Sequence, residues 1–302
     1  MSQQEGISLL LPVLQNVAET LTVLDIGRLH CTCQHLSGSL ELLRSIVLGH
    51  RGRDTTWSWQ KAHSVEAAAL YDPLNALQPW TRGPNARNGR DVIEAQGDAL
   101  WLSGGTDWQS FQGAFRCVAD QGVFASWISF RVRIATPDVS GAFFSLYGCK
   151  RNWGFTDPVL VFNYRGDATE QDHCFSLQTE FDQSVEKRHV SQRLDVSGDR
   201  CFDIAVHLNW EQKTASMFVD GVPHVSRVPF HGTCPIRYAT LYNWRSSART
   251  AFAELLIGGA CPSAGLLKAA RSLQFQRRLS ATSRSLSQTL GFLAVWLGST
   301  CQ

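Results

Sequence analysis

The stretch Cys201-Phe-Asp-Ile-Ala-Val-His-Leu-Asn-Trp210, followed after three residues by Thr214-Ala-Ser-Met-Phe-Val-Asp-Gly-Val222, decides the fold class. Phe202, Ile204, Val206 and Leu208 alternate with Asp203, Ala205, His207 and Asn209. A period of two with one apolar side is the pattern of a strand covered on one face. Ala215, Met217 and Val219 repeat it and run into Asp220-Gly221. Asp-Gly supplies the two positive φ angles that a type I′ turn requires, so the pair reads as a hairpin.

The same pattern extends outward. Ile128, Phe130, Val132 and Ile134 alternate with Ser129, Arg131 and Arg133. Phe175, Leu177, Thr179 and Phe181 alternate with Ser176, Gln178, Glu180 and Asp182. Many short strands, turns rich in Gly and Asp, and no intervening helical period predict a mainly β chain, an antiparallel β-sandwich over residues 91–260.

In its residues this region resembles the concanavalin A-like lectin/glucanase superfamily, in the laminin-G-like branch. The carriers are Cys201–Trp210 and Thr214–Val222, preceded by Phe124 to Ile134 and Gly141-Ala-Phe-Phe-Ser-Leu-Tyr-Gly148, with Ala251 to Gly258 as a closing strand. The resemblance implies a jelly-roll sandwich. It does not imply an activity, because such sandwiches serve lectins, hydrolases and protein-binding modules alike. The superfamily's glucanases carry closely spaced carboxylates on one strand, and here the corresponding run is Glu180-Phe-Asp182-Gln-Ser-Val-Glu186. A retaining glycosidase needs two carboxyls about 5–5.5 Å apart. Glu180 and Glu186 on a regular strand would be roughly 20 Å apart. The three acids are therefore not expected to form a catalytic set. No nucleophile elbow, phosphate-binding loop or dinucleotide fingerprint occurs, and neither a cofactor nor a metal is expected.

Residues 1–48 read differently. Leu11, Leu14, Val17 and Leu21 recur at helical spacing, as do Ile26, Leu29, Cys33, Leu36, Leu40 and Leu43. Pro12 suits a first helical turn, and Asp25 suits an N-cap. The run Leu11-Pro12 through Leu36 resembles an F-box, with Thr32 and Leu36 standing where that family commonly has Val and Trp. The resemblance implies a helical module that binds the cullin adaptor of SCF-type ubiquitin ligases through Leu11, Pro12, Leu14, Val17, Leu21, Ile26 and Leu29. His30-Cys-Thr-Cys-Gln-His35 is not expected to hold metal, because Cys31 and Cys33 lie about 200° apart on a helix.

Residues 49–90, with Asp72-Pro73, Gln78-Pro79 and Gly83-Pro84, read as a linker leading into the sandwich. Residues 261–302 form a basic and apolar tail: from Gly265 onward it holds Lys268, Arg271, Arg277, Arg278 and Arg284 and no acidic side chain. It reads as a terminal helix docked on the sandwich or a floppy tail, with a membrane-surface segment as the alternative.

The 302 residues are 44% hydrophobic and 18% charged, which supplies a sizeable core and excludes disorder of the whole chain. A net charge of +2 does not suit a dedicated nucleic-acid binder. Nine scattered cysteines and no basic n-region at the start predict free thiols in cytoplasm or nucleus.

For ligand binding, two loops combine an aromatic ring, an amide and a cation: Lys150-Arg151-Asn152-Trp153 and Asn243-Trp244-Arg245. Such a mix suits peptide, carboxylate or sugar. Helices followed by a binding sandwich are the architecture of a substrate-recognition subunit of an SCF-type ligase, with a target protein or glycan as the second partner. A stand-alone carbohydrate- or peptide-binding lectin-like module is the alternative, and a divergent glycoside hydrolase is a third reading.

Overall fold

The computed structural model describes residues 59–261, apart from 84–91, 104–112, 152–153, 167–172, 182–187, 192, 197–199 and 244–246. The F-box-like segment, including Leu11, Pro12, Leu14, Val17, Leu21, Ile26 and Leu29, lies outside the described residues, as does the tail from 262.

Among the described residues one helix, α1 (Trp59–Glu66), precedes fifteen strands: β1 (Ala68–Asp72), β2 (Thr81–Arg82), β3 (Val92–Gln96), β4 (Ala99–Ser103), β5 (Ala114–Cys117), β6 (Trp127–Ile134), β7 (Gly141–Arg151), β8 (Gly154–Arg165), β9 (Cys174–Gln178), β10 (Arg188–Val190), β11 (Cys201–Asn209), β12 (Thr214–Val219), β13 (Val222–Pro229), β14 (Tyr238–Tyr242) and β15 (Arg249–Gly258). They form two antiparallel sheets. Sheet A runs β13-β12-β11-β6-β15-β4-β3, with β1 also on β15, and sheet B runs β10-β9-β8-β7-β14-β5-β2. Neighbouring strands distant in sequence, such as β6 beside β11 and β15, make this a jelly-roll-like sandwich.

The alternating residues do what their period predicts. Ile128, Phe130, Val132 and Ile134 from β6, and Phe202, Ile204, Val206 and Leu208 from β11, all face the core. Phe130 sits at its middle, 4.7 Å from Phe144, 5.1 Å from Phe162 and 5.8 Å from Phe252 between ring centroids. The chain of rings continues from Phe162 to Phe175 and Phe202. Asp220 (φ 50°) and Gly221 (φ 78°) carry the two positive angles of the expected I′ turn. Asp220 also accepts from the Asp203 amide and the Arg200 guanidinium, which ties the turn back onto β11.

Two expectations need correction. The stretch 49–90 is not linker throughout: β1 pairs with β15 and β2 with β5, so its described part already contributes to both sheets. A buried carboxylate explains why. Asp72, at the end of β1, accepts from the Leu74 amide and the Trp80 indole, and pairs with Arg116 of β5 across the sandwich. The strand expected over 175–181 ends at Gln178, and the Thr179 hydroxyl turns to the Pro229 carbonyl. On the edge of sheet A, β13 is irregular: its register shifts twice against β12, Arg227 has φ 54°, and Pro223 and Pro229 stand near its two ends.

Candidate functional site

Register decides which side chains share a face. In β7, Ala142, Phe144 and Leu146 point into the core, so Phe143, Ser145 and Tyr147 point away from it. Tyr242 lies opposite Phe143, Thr240 opposite Ser145, and Tyr238 opposite Tyr147. One strand further, Phe115 lies opposite Thr240. On the other side, Val161 lies opposite Ser145, and Ser176 opposite Asn163. The outer face of sheet B is thus a carpet of rings around small hydroxyl side chains. Phe143 and Tyr242 stack at 4.7 Å, and Ser176 donates to Asn163 Oδ1 at 2.5 Å.

The β7–β8 hairpin bends over this face. A register shift between Leu146 and Tyr147, close to Asp157 at φ 58°, introduces an extra residue on β8. Bulges of this kind bend a strand and re-aim its side chains. Beyond it, Lys150 and Phe155 face each other across the hairpin, yet both reach Phe115 of β5, Lys150 from two strands away and Phe155 from three. The Lys150 ammonium lies 3.9 Å above the Phe115 ring, and Phe155 is 5.4 Å from Phe115, 5.1 Å from Tyr147 and 5.7 Å from Tyr238. Burial pushes the Tyr147 phenol up, with the Ser145 hydroxyl acting in the opposite sense. Ser145 and Thr240 are fully buried between the two groups of rings.

This geometry sorts the residues expected at the site. Lys150 belongs to it. Arg151 closes β7, while Asn152, Trp153, Trp244 and Arg245 lie outside the described residues. Asn243 is a correction: it is buried and committed to the frame. Its amide donates to the carbonyls of Leu102 (2.9 Å) and Ala248 (3.1 Å), and its Oδ1 accepts from the Ala142 amide (3.0 Å) and the Thr250 hydroxyl (2.8 Å). These four bonds use the full capacity of the side chain and pin both sheets together. The two expected loops also start from opposite ends of β7, since Asn243 bonds at Ala142 and the other loop follows Arg151. Nine residues of strand separate those points, as much as ~30 Å. Lys150 and Asn243 therefore do not share one site.

Phe143, Tyr147, Tyr238, Tyr242, Phe115 and Phe155 escaped the sequence reading. A signal was present: in Gly141-Ala-Phe-Phe-Ser-Leu-Tyr-Gly148 aromatic residues occupy both parities of the strand. Among the described outward positions of β5, β7, β8, β9 and β14 that register assigns, no Asp or Glu lies opposite another. Glu180 is buried next to β9, and Asp182 and Glu186 lie outside the described residues.

No protein-family model and no curated protein sequence matches the chain. Among solved structures it is similar to the T. cruzi calreticulin globular domain, at 13% identity and TM-score 0.49, covering 70% of this chain and 98% of that one. It is also similar to a galectin-like protein of unknown function from Bacillus subtilis, at 11% identity and TM-score 0.43, covering 65% and 98%. A third likeness is to the beta-glucanase of Bacillus licheniformis, at 14% identity and TM-score 0.41, covering 63% and 97%. These likenesses assign neither ligand nor reaction.

Proposed function

We propose that the chain is a non-catalytic, lectin-like binding module that takes carbohydrate on the outer face of sheet B. One observation carries the reading: stacked rings and neutral hydrogen-bonding groups share one face, without facing carboxylates among its described positions. Sugar rings present C–H surfaces that lie on aromatic faces and hydroxyls that pair with neutral amides and phenols. Tyr242 and Tyr238, both partly exposed, supply ring surface and phenols, and Lys150 a cation at the margin.

The test is an NMR titration of the full chain with laminarin-derived and chitin-derived oligosaccharides, repeated on Tyr242→Ala and Tyr238→Ala. Binding that weakens tenfold or more in both variants supports the reading. Binding unaltered by either, or no binding to any glycan of a broad array, removes it.

A second reading has its own observation, the F-box-like run of residues 11–36. On that reading the chain is the substrate-recognition subunit of an SCF-type ligase, and the sandwich face holds the target. Leu11→Ala with Pro12→Ala should then abolish co-purification of a cullin adaptor and leave glycan binding intact. The two readings are separable by that one variant.

A further inference from the structure

Three connections between strands meet at one end of the sandwich: β6 to β7, β8 to β9 and β10 to β11. Between them lies a cleft of about 560 Å³. Pro137 lines it from the first connection, His173 from the second, and Arg193, Leu194, Asp195 and Val196 from the third. The Leu194 amide donates to the His173 carbonyl at 2.8 Å, which holds the last two connections side by side. Connections carried by a rigid sandwich are where binding groups are free to vary. Tyr164 of β8 reaches the cleft from below, and it pairs with Gly141, at the opposite end of β7 from Lys150.

Tyr164 decides what the cleft presents. Its side chain is buried in the core, and its hydroxyl lies 2.7 Å from the Pro137 carbonyl and 2.8 Å from His173 Nδ1. A carbonyl can only accept, so the phenol proton goes to Pro137. His173 Nδ1 then carries a proton and donates to the phenol oxygen. The two ring planes are 1° from parallel with centroids 6.3 Å apart, the geometry of an in-plane contact. Burial, then the nearby Asp138 carboxylate, pushes the phenol above its usual 10, so it keeps its proton. Neutral His173 is left with one bare nitrogen, Nε2, and Asp138 Oδ1 stands 4.0 Å from it. Both atoms are acceptors, too far apart for a hydrogen bond and with no proton to share. Among the described residues, no carboxylate pairs with the exposed Arg193 guanidinium.

We propose that this cleft binds the vicinal diol of a neutral sugar, with one hydroxyl donating to His173 Nε2, its neighbour donating to Asp138, and Arg193 donating to both oxygens. Two acceptors need two protons, so a single hydroxyl does not satisfy them. An ammonium brings the protons but meets Arg193. A carboxylate satisfies Arg193 but faces Asp138. Adjacent hydroxyls donate and accept at the same atoms. Half-buried Pro137 offers apolar surface to the C–H side of the sugar ring. This site stands apart from the reading of sheet B, since neither Tyr238 nor Tyr242 lines it.

Long-range proton–nitrogen NMR of the histidine rings in the full chain tests this, with methyl α-mannoside and acetamide as probes. Without ligand and near neutral pH, His173 should carry its proton on Nδ1 alone. A ring protonated on both nitrogens, or on Nε2 alone, overturns the proposal. Methyl α-mannoside should shift the Nε2 resonance. That binding should weaken tenfold or more in Arg193→Met and in Asp138→Asn, both exposed positions, and stay unchanged in Tyr242→Ala. No shift at His173 overturns the proposal, whatever glycans do at sheet B. Acetamide binding as tightly as the glycoside overturns the diol. A loss in Tyr242→Ala equal to that in Arg193→Met also overturns it and leaves the sheet B reading standing.

Discussion

The two outer faces of the sandwich are built from different chemistry on the same backbone plan. Sheet A is studded with ion pairs, Arg131 with Asp203, Arg200 with Asp220 and Lys61 with Glu254, and with guanidiniums of Arg133 and Arg249 over Trp101. Sheet B presents rings and hydroxyls, with Lys150 lying on a ring. Exposed ion pairs contribute little binding energy, since both partners are well solvated. Aromatic surface recovers much more when a ligand covers it. The contrast teaches that charge density alone does not mark the binding face of a sandwich.

The comparison assumes one rigid frame, and Asn243 is where that assumption breaks most readily. Asn243→Ala strands the Ala142 amide and the Leu102 and Ala248 carbonyls inside the protein. A loss of roughly 3 kcal/mol or more is expected from the urea midpoint, since each orphaned group costs about 1–3 kcal/mol. A loss below about 1 kcal/mol would mean water replaces the bracket.

Next in size is the asymmetry of the faces in binding. Tyr242→Ala should cost about 2 kcal/mol of glycan affinity by calorimetry. Arg133→Ala on sheet A should leave affinity unchanged. Equal losses from both would erase the distinction.

Acid titration sharpens the comparison from the sheet A side. Burial, then the nearby Arg227 charge, lowers the His207 pKa below its usual 6.5. A lowered histidine leaves its contribution intact above 6.5 and loses it as pH falls through the folded value. Unfolding midpoints should therefore drop on moving from pH 7 toward pH 5, and His207→Gln should flatten that drop. The smallest effect belongs to Lys150→Met, which keeps the stem and removes the cation over Phe115. About 0.5 kcal/mol is expected in thermal unfolding.

Legibility in the sequence followed burial. β6 and β11 could be read because one parity is apolar and the other charged or polar, so period two stands out. β7 could not, because Phe143 and Phe144 place rings on both sides and the alternation vanishes. The Asp220-Gly221 turn was legible because positive φ restricts residue choice. Asn243 reads as a loop amide in any one-dimensional view, since its partners are 5, 7, 101 and 141 residues away. The pairing of β7 with β14 is equally non-local, and that pairing sets Lys150 and Asn243 apart.

The irregular β13 bears on how this protein meets other molecules. An open strand edge invites a further strand by exposing a ladder of unpaired amides and carbonyls. Here prolines near both ends of β13 remove donors, and the register shifts and the positive φ of Arg227 twist the ladder out of line. At the ends of sheet B, β10 has three residues and β2 two, too short to template an incoming strand. Backbone-to-backbone addition of a peptide is disfavoured at these three margins, and so is runaway sheet-to-sheet assembly through them.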